Sequence, residues 1–587
     1  MHRYITTLLA VLALCLSATT VMGQTISPAL EKELSTKSQT EFLVLLKAQA
    51  DVSFAHQLPT KLERGRYVYE QTRQLAEATQ PGIRALLKKR RADYRPFYVV
   101  NALWVKGGLA LARELAALPE VAQLQRNPRF LLDVLPAKES KLSTRSDGVE
   151  WGVAQIGANE VWAMGYTGQN VVIGGQDTGY DWDHPAIINT YRGWDGSTAD
   201  HNYNWHDAIH QIDSLNGAPY EADANPCGLD SPIPCDDNNH GTHTMGTMAG
   251  AESDEGKKIG VAPDAQWIGC RNMERGWGSP ASYIECFEWF LAPTNISGEA
   301  PDPSQAPHVI NNSWACPAIE GCTPENFELM REVVDNLKAA GIVVVVSAGN
   351  SGADCHSVRT PAAIFANSFT VGATQQSDTI ANFSSRGTVT IDGSGRLKPD
   401  ITAPGVGIRS SIKDGGFAAF SGTSMAGPHV AGAVALLISA NPDLAGQVEL
   451  IEDIIERNAK PMRSAQTCGS RPGTLIPNPV YGYGRIDIAA AVEEALGLTA
   501  TATPHENLTL QLMPNPTSGQ VTIRKVDIPL KGAQFTLLDS QGRNVYQQLW
   551  PQGQRQITID LTGLPDGMYF YQWSDGRELQ RGKLLKH

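Results

Sequence analysis

After residue 23, this sequence of 587 residues contains no long hydrophobic run. A membrane-spanning helix needs about 18 or more consecutive apolar residues, so no membrane span is expected there. Eight of the nine cysteines lie from Cys227 to Cys468, so residues 24–226 and 469–587 contain none. These cysteines do not form the closely spaced pairs typical of a zinc site, and no repeat of fixed period is present. The absences argue against a membrane-spanning domain, a cysteine-based zinc site and a repeat architecture.

The first 23 residues have the pattern of a secretory signal peptide. Arg3 is followed by an apolar run and then by small residues that end near Gly23. This order predicts export and cleavage near Gly23, with a buried helix as the alternative. Cys15 suggests a lipoprotein anchor, but the bulky Leu14 in front of it fits that processing poorly.

The cysteines that remain after removal of Cys15 are even in number, as expected for disulfides in an exported protein. Two pairs are close enough in sequence to bond locally, and the pairing of the other four is a guess. The four predicted pairs are Cys227 with Cys235, Cys316 with Cys322, Cys270 with Cys286, and Cys355 with Cys468.

Charge divides the chain into a basic front and an acidic middle. Residues 24–146 carry 20 Lys and Arg against 12 Asp and Glu, a net charge of +8. Residues 147–507 carry 18 against 43, a net charge of −25. Attraction between the two parts would suit an inhibitor folded against its enzyme, although two separately solvated surfaces have the same composition. So acidic a main domain argues against nucleic acid as a partner.

The front part alternates strand and helix patterns. We predict a strand at 41–46, a long amphipathic helix at about 65–91 and a helix at 109–117, with further strands around the last of these. This order predicts a small α+β domain over residues 24–146. Its last part, 137–148, is polar and without apolar periodicity, so it is expected to be an exposed linker.

The middle part, residues 147–498, alternates short apolar strands with helices. That order predicts an α/β domain with a doubly wound parallel sheet flanked by helices, in which ligands gather at the carboxyl ends of the strands. Residues 499–507 are expected to be a linker. Residues 508–587 contain alternating strands separated by Gly, Pro and Asp turns, which predicts a small antiparallel β-sandwich.

Three motifs lie at predicted strand or helix boundaries. Asp177-Thr-Gly ends a buried strand, where the alternative is a turn-capping aspartate. His240-Gly-Thr-His243 follows Asn239, which is expected to cap a helix that begins at the histidine. The two histidines also suggest a metal pair, but no carboxylate motif supports one. Gly-Thr-Ser424-Met-Ala places a serine at a helix entrance, where the helix dipole favours a developing oxyanion, unless the serine is a simple helix cap.

Together the three motifs resemble those of the subtilase family, peptidase family S8, in which Asp, His and Ser follow in that order. The resemblance covers about residues 149–498 and is greatest to bacillopeptidase F-like members, through AGNSG, NNSW and GTSMAGPHVAG. It implies that Ser424 is the nucleophile, that His240 is the general base and acid, and that Asp177 supports the imidazolium. The oxyanion would be bound by the Ser424 backbone N–H and the side-chain amide of Asn350.

The same resemblance implies the walls of a substrate-binding cleft. Ser313, Trp314 and Ala315 match the edge segment that pairs with substrate backbone, and Ser347, Ala348 and Gly349 match the opposite wall of the specificity pocket. The chain departs from the family pattern at Trp314 and Cys316, where smaller residues often stand. A loop closed by Cys316 and Cys322 would narrow or stiffen the pocket, which leaves the side-chain preference open.

No cofactor is required by this chemistry, but many subtilases bind structural calcium. An acidic insert lies between the Asp and His motifs, and calcium needs several oxygen ligands that converge on one point. The carboxylates match no fixed ligand pattern, so metal ligands stay unassigned. They are Asp195, Asp200, Asp207, Asp213, Asp223, Asp230, Asp236 and Asp237.

The flanking parts carry resemblances of their own. By position and element order, residues 24–146 resemble the inhibitor-type propeptide of subtilases, which implies a zymogen cleaved within 137–148. The tail resembles the sorting domain of the type IX secretion system. This second likeness rests on four segments in order, which are Met513–Gly519, Asp539–Arg543, Leu561–Tyr571 and Gly582–Lys586. A carbohydrate- or protein-binding sandwich would instead need an exposed aromatic platform, for which Trp550 and Trp573 are too few.

The sequence therefore predicts a secreted or surface-attached serine endopeptidase made as an autoprocessed zymogen. Its expected partners are polypeptide substrates, its own propeptide and the outer-membrane secretion machinery. A processing convertase would need an acidic pocket for basic side chains and a larger β-domain. An adhesin on an inactivated protease fold is disfavoured because Asp177, His240, Ser424 and Asn350 are all present.

Overall fold

The computed structural model divides the chain into two compact units, Met1–Thr499 and Ala500–His587, each of which is described by itself. The described residues are 25–132, 148–212, 225–251, 258–314, 324–497, 510–513, 517–525, 533–539, 543–551, 556–574 and 579–586. The predicted signal peptide, most of the linker at 137–148 and the linker at 499–507 lie outside these ranges.

The front of the first unit is a four-stranded antiparallel sheet with helices packed on it, in the strand order β2-β3-β1-β4. Its strands are β1 (Thr40–Leu46), β2 (Asp93–Phe97), β3 (Ala102–Gly107) and β4 (Val121–Arg126). Its helices are α1 (Pro28–Thr36), α2 (Lys61–Thr79), α3 (Pro81–Arg90) and α4 (Leu109–Ala116), with a short 3₁₀ helix at Ser53–Gln57.

The prediction of one long helix at 65–91 is wrong. Two helices, α2 and α3, meet at Gln80, and Pro81 is the first residue of the second. Proline has no N–H to continue the hydrogen-bond ladder and its ring clashes with the carbonyl four residues earlier, but it fits the first turn of a new helix. The side chain of Gln80 stabilises the break by donating to the Phe97 carbonyl oxygen at 2.8 Å.

The centre of the first unit is a seven-stranded parallel sheet in the order β14-β13-β12-β11-β6-β8-β7. Its strands are β6 (Val172–Asp177), β7 (Trp205–Asp207), β8 (Gln266–Arg271), β11 (Val309–Asn312), β12 (Val343–Ser347), β13 (Phe369–Thr374) and β14 (Ile401–Pro404). Strand β12 reads Val-Val-Val-Val-Ser and is buried throughout, as expected for a parallel strand covered on both faces. The predicted fold class is confirmed.

Helices cover both faces of this sheet. Val343 and Val345 of β12 belong to a core with α7 (His240–Ala249) and α10 (Thr423–Ala440), whereas Val344 and Val346 belong to a second core with α8 (Pro280–Leu291) and α9 (Pro324–Ala339). The other helices are α5 (Trp151–Gln155), α6 (Ala158–Ala163), α11 (Val448–Arg457) and α12 (Ile488–Ala495), with 3₁₀ turns at Ile188–Thr190, Pro303–Gln305 and Pro442–Leu444.

Helix α10 is long and apolar enough to cross a membrane by length and composition. It is, however, 94% buried inside the molecule, where it packs between the sheet and neighbouring helices. A core helix passes the same test as a membrane helix, so this feature is assigned to the core. Among the described residues it is the only helix that meets both criteria.

Short strands complete the first unit. They are β5 (Phe130–Leu131), β9 (Met273–Glu274), β10 (Trp277–Gly278), β15 (Ile408–Ile412), β16 (Gly416–Phe420), β17 (Thr467–Cys468) and β18 (Arg471–Pro472). Three predicted disulfides are confirmed, Cys227–Cys235, Cys270–Cys286 and Cys355–Cys468. The predicted pair of Cys316 and Cys322 lies outside the described residues.

The second unit consists of antiparallel sheets with a core of their own. One sheet has the order β19-β20-β23 and the other β22-β21-β24-β25. Their strands are β19 (Leu510–Met513), β20 (Gln520–Lys525), β21 (Ala533–Leu538), β22 (Asn544–Trp550), β23 (Gln556–Asp560), β24 (Gly567–Ser574) and β25 (Leu579–Lys586). Trp550 and Trp573 are fully buried in this core, so neither contributes to an exposed aromatic platform.

Candidate active site

Asp177 is the last residue of strand β6, at the carboxyl edge of the central sheet. Its side chain is only 1% exposed, and a carboxylate so deeply buried needs hydrogen-bond partners. Oδ1 accepts a bond from the Thr178 backbone N–H at 2.8 Å and one from His240 Nδ1 at 2.8 Å. Because a carboxylate only accepts, the His240 hydrogen lies on Nδ1, which leaves Nε2 as the basic nitrogen.

His240 is the first residue of helix α7, which is buried along its whole length. The next residue has to be small, because a Cβ atom at Gly241 would lie 2.0 Å from the Gly179 carbonyl oxygen. This close approach brings the start of the helix against the segment that follows Asp177. The Gly in His-Gly-Thr-His is therefore required by packing.

The expected capping role of Asn239 is wrong. Asn239 stands at the N-cap position, but its backbone is left-handed with a φ of 90°, and its side chain makes no capping hydrogen bond. The helix is capped instead by Asp236, whose Oδ2 accepts from the Thr242 backbone N–H at 3.0 Å and from Thr242 Oγ1 at 2.7 Å. The left-handed turn at Asn239 directs the chain so that the side chain of Asp236 reaches the Thr242 N–H, which has no partner within the helix.

Ser424 lies in the first turn of helix α10 and is 6% exposed. Its Oγ donates a hydrogen bond to the Ser313 carbonyl oxygen at 3.1 Å, not to His240. Hydroxyl rotation can redirect this donor, and catalytic hydrogen bonds are often completed only when substrate is bound. The Ser424 hydroxyl lies at the N-terminus of α10, where the positive end of the helix dipole favours negative charge.

Asn350 follows strand β12 and is bonded to the start of helix α10. Its Oδ1 accepts from the backbone N–H and from the Oγ1 of Thr423, both at 3.0 Å. These two bonds fix the orientation of the amide. A Cβ atom at Gly422 would lie 3.6 Å from both Asn350 Nδ2 and the Ser424 backbone nitrogen, so these two nitrogens flank one point beside the serine.

The predicted substrate-binding residues come from two segments, Ser347–Gly349 at the end of strand β12 and Ser313–Ala315 after strand β11. Ser347 and Gly349 are tied to the start of α10, since Ser347 Oγ donates to the Thr423 carbonyl oxygen at 2.9 Å and the Gly349 N–H donates to Thr423 Oγ1 at 3.2 Å. Ala348 is buried between them. Ser313 Oγ donates to the Ser424 carbonyl oxygen at 3.1 Å.

Trp314 does not line an open pocket. Its ring is 3% exposed and stacks on Tyr283 of helix α8, with 3.7 Å between ring centroids and 17° between planes. The large side chain that departs from the family pattern is thus part of the core under the cleft. Ala315, the third residue predicted for this wall, lies outside the described residues.

One hairpin that contacts the front of the chain was missed in the sequence. Strand β10 pairs with β9 in a hairpin and, on its other edge, antiparallel with β5 from the front of the chain. The pairing continues where the Leu132 N–H donates to the Gly276 carbonyl oxygen at 2.8 Å. Arg275 and Gly276 both have positive φ, as two-residue hairpin turns require. The Arg-Gly pair between Glu274 and Trp277 was the available signal.

His243 does not form a metal pair with His240. Its Nε2 donates to the carbonyl oxygens of Ile408 and Ala418 at 2.9 and 3.2 Å, and its ring stacks on Phe420. Burial lowers the pKa of His243 to about 3, and the nearby His240 contributes to this shift. The ring therefore stays uncharged near neutral pH and acts as a structural donor.

The acidic insert shows no calcium site in the part that the structure describes. Asp195 accepts from Ser197 and Thr198 within its own turn, Asp207 pairs with Arg271 at 3.0 Å, and Asp230 contacts His210. Within the described ranges no group of three or more His, Cys, Asp or Glu residues could hold a metal ion. Asp213 and Asp223 lie outside those ranges.

Comparison with known proteins finds two family models in this chain. The model of the subtilase family matches residues 168–484, and that of the secretion system C-terminal sorting domain matches residues 511–587. Bacillopeptidase F of Bacillus subtilis (strain 168) is 34% identical over 510 residues, which cover 80% of this chain and 33% of the relative. The chain thus spans about a third of the length of that relative.

Two smaller relatives are matched over most of their own length. Subtilisin E of Bacillus subtilis (strain 168) is 32% identical over 353 residues, which cover 59% of this chain and 72% of subtilisin E. Subtilisin of Bacillus pumilus is 30% identical over 352 residues, which cover 59% of this chain and all of that protein.

Proposed function

This chain belongs to the subtilase family of serine endopeptidases, and we propose that it hydrolyses peptide bonds in proteins through an acyl-enzyme on Ser424. The sorting domain at residues 511–587 marks it as a secreted or surface-attached protein. The observation that carries the proposed chemistry is the bond of 2.8 Å between His240 Nδ1 and Asp177 at the end of β6. Ser424 is bonded to Ser313, which directly follows the neighbouring strand β11.

In the proposed reaction, His240 Nε2 takes the proton of Ser424 as Oγ attacks the scissile carbonyl carbon. Asp177 holds the ring in the tautomer with hydrogen on Nδ1 and stabilises the imidazolium that forms. The same Nε2 then gives the proton to the leaving amine, and water repeats the two steps on the ester. For this, the Ser424 hydroxyl turns from the Ser313 carbonyl oxygen towards His240.

The oxyanion of the tetrahedral intermediate would lie between Asn350 Nδ2 and the Ser424 backbone N–H. Both nitrogens lie 3.6 Å from one point beside Gly422, and the Asn350 carbonyl oxygen is occupied by its two bonds to Thr423. Donors that are fixed before the reaction do not have to reorganise as charge develops.

We propose further that residues 24–146 are an inhibitor-type propeptide. Strand β5 pairs with β10 as an added strand, in the way that extended peptides bind a sheet edge. The contact extends along the front domain, where Arg64 Nη1 donates to the Gly446 carbonyl oxygen at 2.6 Å and Asn336 Nδ2 donates to the Val99 carbonyl oxygen at 2.7 Å. The opposite net charges of the two parts support the same arrangement.

The Asn350→Ala variant tests the proposed oxyanion donor. We expect kcat to fall by ~10²–10³ with KM almost unchanged, because the amide stabilises charge that exists only in the transition state. The measurement is steady-state hydrolysis of a peptide substrate by the purified mature enzyme. Asn367→Ala, which removes an amide bonded to Asp335 at 2.8 Å, is the control and should leave kcat unchanged. A rise in KM with kcat retained would make Asn350 a substrate-positioning residue instead.

A further inference from the structure

Asp236 is a buried carboxylate with an unusual number of donors around it. The residue is 5% exposed. Oδ1 accepts from Thr178 Oγ1 at 2.9 Å and from the backbone N–H groups of Asn238 and Asn239 at 2.9 and 3.0 Å. Oδ2 accepts the two bonds from Thr242. All five partners donate, so the site is built for an acceptor with no hydrogen of its own.

These donors belong to the two segments that carry the proposed acid–base pair. Thr178 follows Asp177 directly, while Asn239 and Thr242 stand on either side of His240 in the chain. Thr178 Oγ1 also accepts from the Gly241 N–H at 3.0 Å, so a continuous chain of bonds runs from the start of helix α7 through Thr178 to Asp236. Asp236 thus ties together the segment that follows Asp177 and the start of the helix that carries His240.

We propose that Asp236 is a positioning residue that holds His240 in register with Asp177. This inference rests on the proposed function of the pair and assigns to Asp236 no contact with substrate. A displacement of about 1 Å in a catalytic group can cost about 10²-fold in rate, so a residue with this role should affect turnover strongly.

An asparagine cannot replace Asp236 in this site. The asparagine side chain has about the same shape, but an NH₂ group takes the place of one carboxylate oxygen and would face N–H or O–H donors. Either two or three of the five bonds would be lost, and the buried donors would be left without an acceptor.

The test is the Asp236→Asn variant of the mature enzyme. We expect kcat to fall about 10- to 100-fold, with KM changed less than about threefold, because the cleft is not altered. Asp207→Asn is the matched control, since Asp207 is 6% exposed and its carboxylate accepts from Arg271 and from the backbone N–H groups of Ile209 and Ser231. The Asp207→Asn variant should have a lower melting temperature than the parent and about the same kcat.

The split between kcat and KM separates positioning from simple loss of stability. A displaced acid–base pair lowers kcat in every folded molecule while KM stays near that of the parent. A merely destabilised enzyme would show the parental kcat once the rate is normalised to the folded fraction well below its melting temperature.

If Asp236→Asn does not fold, the bridging hydroxyl provides a second test. Thr178→Val removes the bond to Asp236 and should lower kcat, and Thr178→Ser keeps the hydroxyl and should restore it. Parental kcat in both Asp236→Asn and Thr178→Val would overturn the positioning role. The proposed function would survive that result, since it fails only if Ser424 proves dispensable.

Discussion

Replacement of Ser424 by alanine should lower kcat/KM by roughly 10⁴-fold or more and leave the fold intact. The change removes the atom that forms the proposed acyl-enzyme, whereas the bond between His240 and Asp177 and the bond of Asn350 to Thr423 are kept. A side chain that is 6% exposed and loses only one oxygen should have little effect on packing. The readouts are peptide hydrolysis and the far-ultraviolet circular dichroism spectrum.

The same variant tests autoprocessing. We expect the Ser424→Ala protein to keep residues 24–146 attached, and a trace of the parent enzyme to cut the predicted linker at 137–148 in trans. Ser439→Ala is the matched control, because Ser439 lies on the same helix and its Oγ donates to Gln169 at 2.7 Å, away from the site. A cleanly purified Ser424→Ala protein with near-normal turnover would reject the nucleophile. Normal maturation of that protein without added enzyme would reject autoprocessing.

Deletion of the chain from about Leu508 should abolish export across the outer membrane and preserve peptidase activity. Residues 500–587 form a compact unit with a separate hydrophobic core, and the sorting-domain model matches 511–587. A unit that buries its own apolar surface can be removed without opening the core of the enzyme. Culture medium and periplasm of the native host should be compared for full-length and truncated chains.

Full-length Ser424→Ala is the control for this deletion, since it lacks activity but carries an intact tail and should be exported. Activity of the truncated chain is measured after it has been trapped in the cytoplasm or refolded. Equal export of the full-length and truncated chains would reject the sorting role and favour a binding module. Loss of activity in a folded truncated chain would place the tail in the function of the enzyme.

The sequence predicted those features that local patterns determine. Short apolar runs predicted parallel strands in the middle part, of which Val343–Ser347 is one, because buried parallel strands have few polar positions. The even set of exported cysteines predicted disulfides, and the local pair Cys227–Cys235 followed from sequence spacing, whereas Cys270–Cys286 and Cys355–Cys468 were a guess that the structure confirms. The positions of Asp177 at a strand end and of His240 and Ser424 at helix starts followed from the motifs.

Features that depend on contacts between distant segments were missed or misjudged. The cap of helix α7 was assigned to Asn239 by sequence proximity, but a left-handed turn gives that role to Asp236. Trp314 was expected to affect the pocket, yet its partner is Tyr283 on a helix 31 positions earlier in the chain. Strand β10 has two residues, and although the Arg275-Gly276 turn signals its hairpin with β9, nothing local signals its pairing with the distant β5.

The nucleophile can be identified most directly by covalent labelling. The mature enzyme should be treated with phenylmethylsulfonyl fluoride, digested and analysed by mass spectrometry, with residual activity followed in parallel. We predict one sulfonyl group per molecule on the peptide that contains Ser424, loss of activity in proportion to labelling, and much slower labelling in the His240→Ala variant. Complete inactivation with the label on another residue, or full labelling of Ser424 with activity retained, would contradict the assignment of Ser424 as the nucleophile.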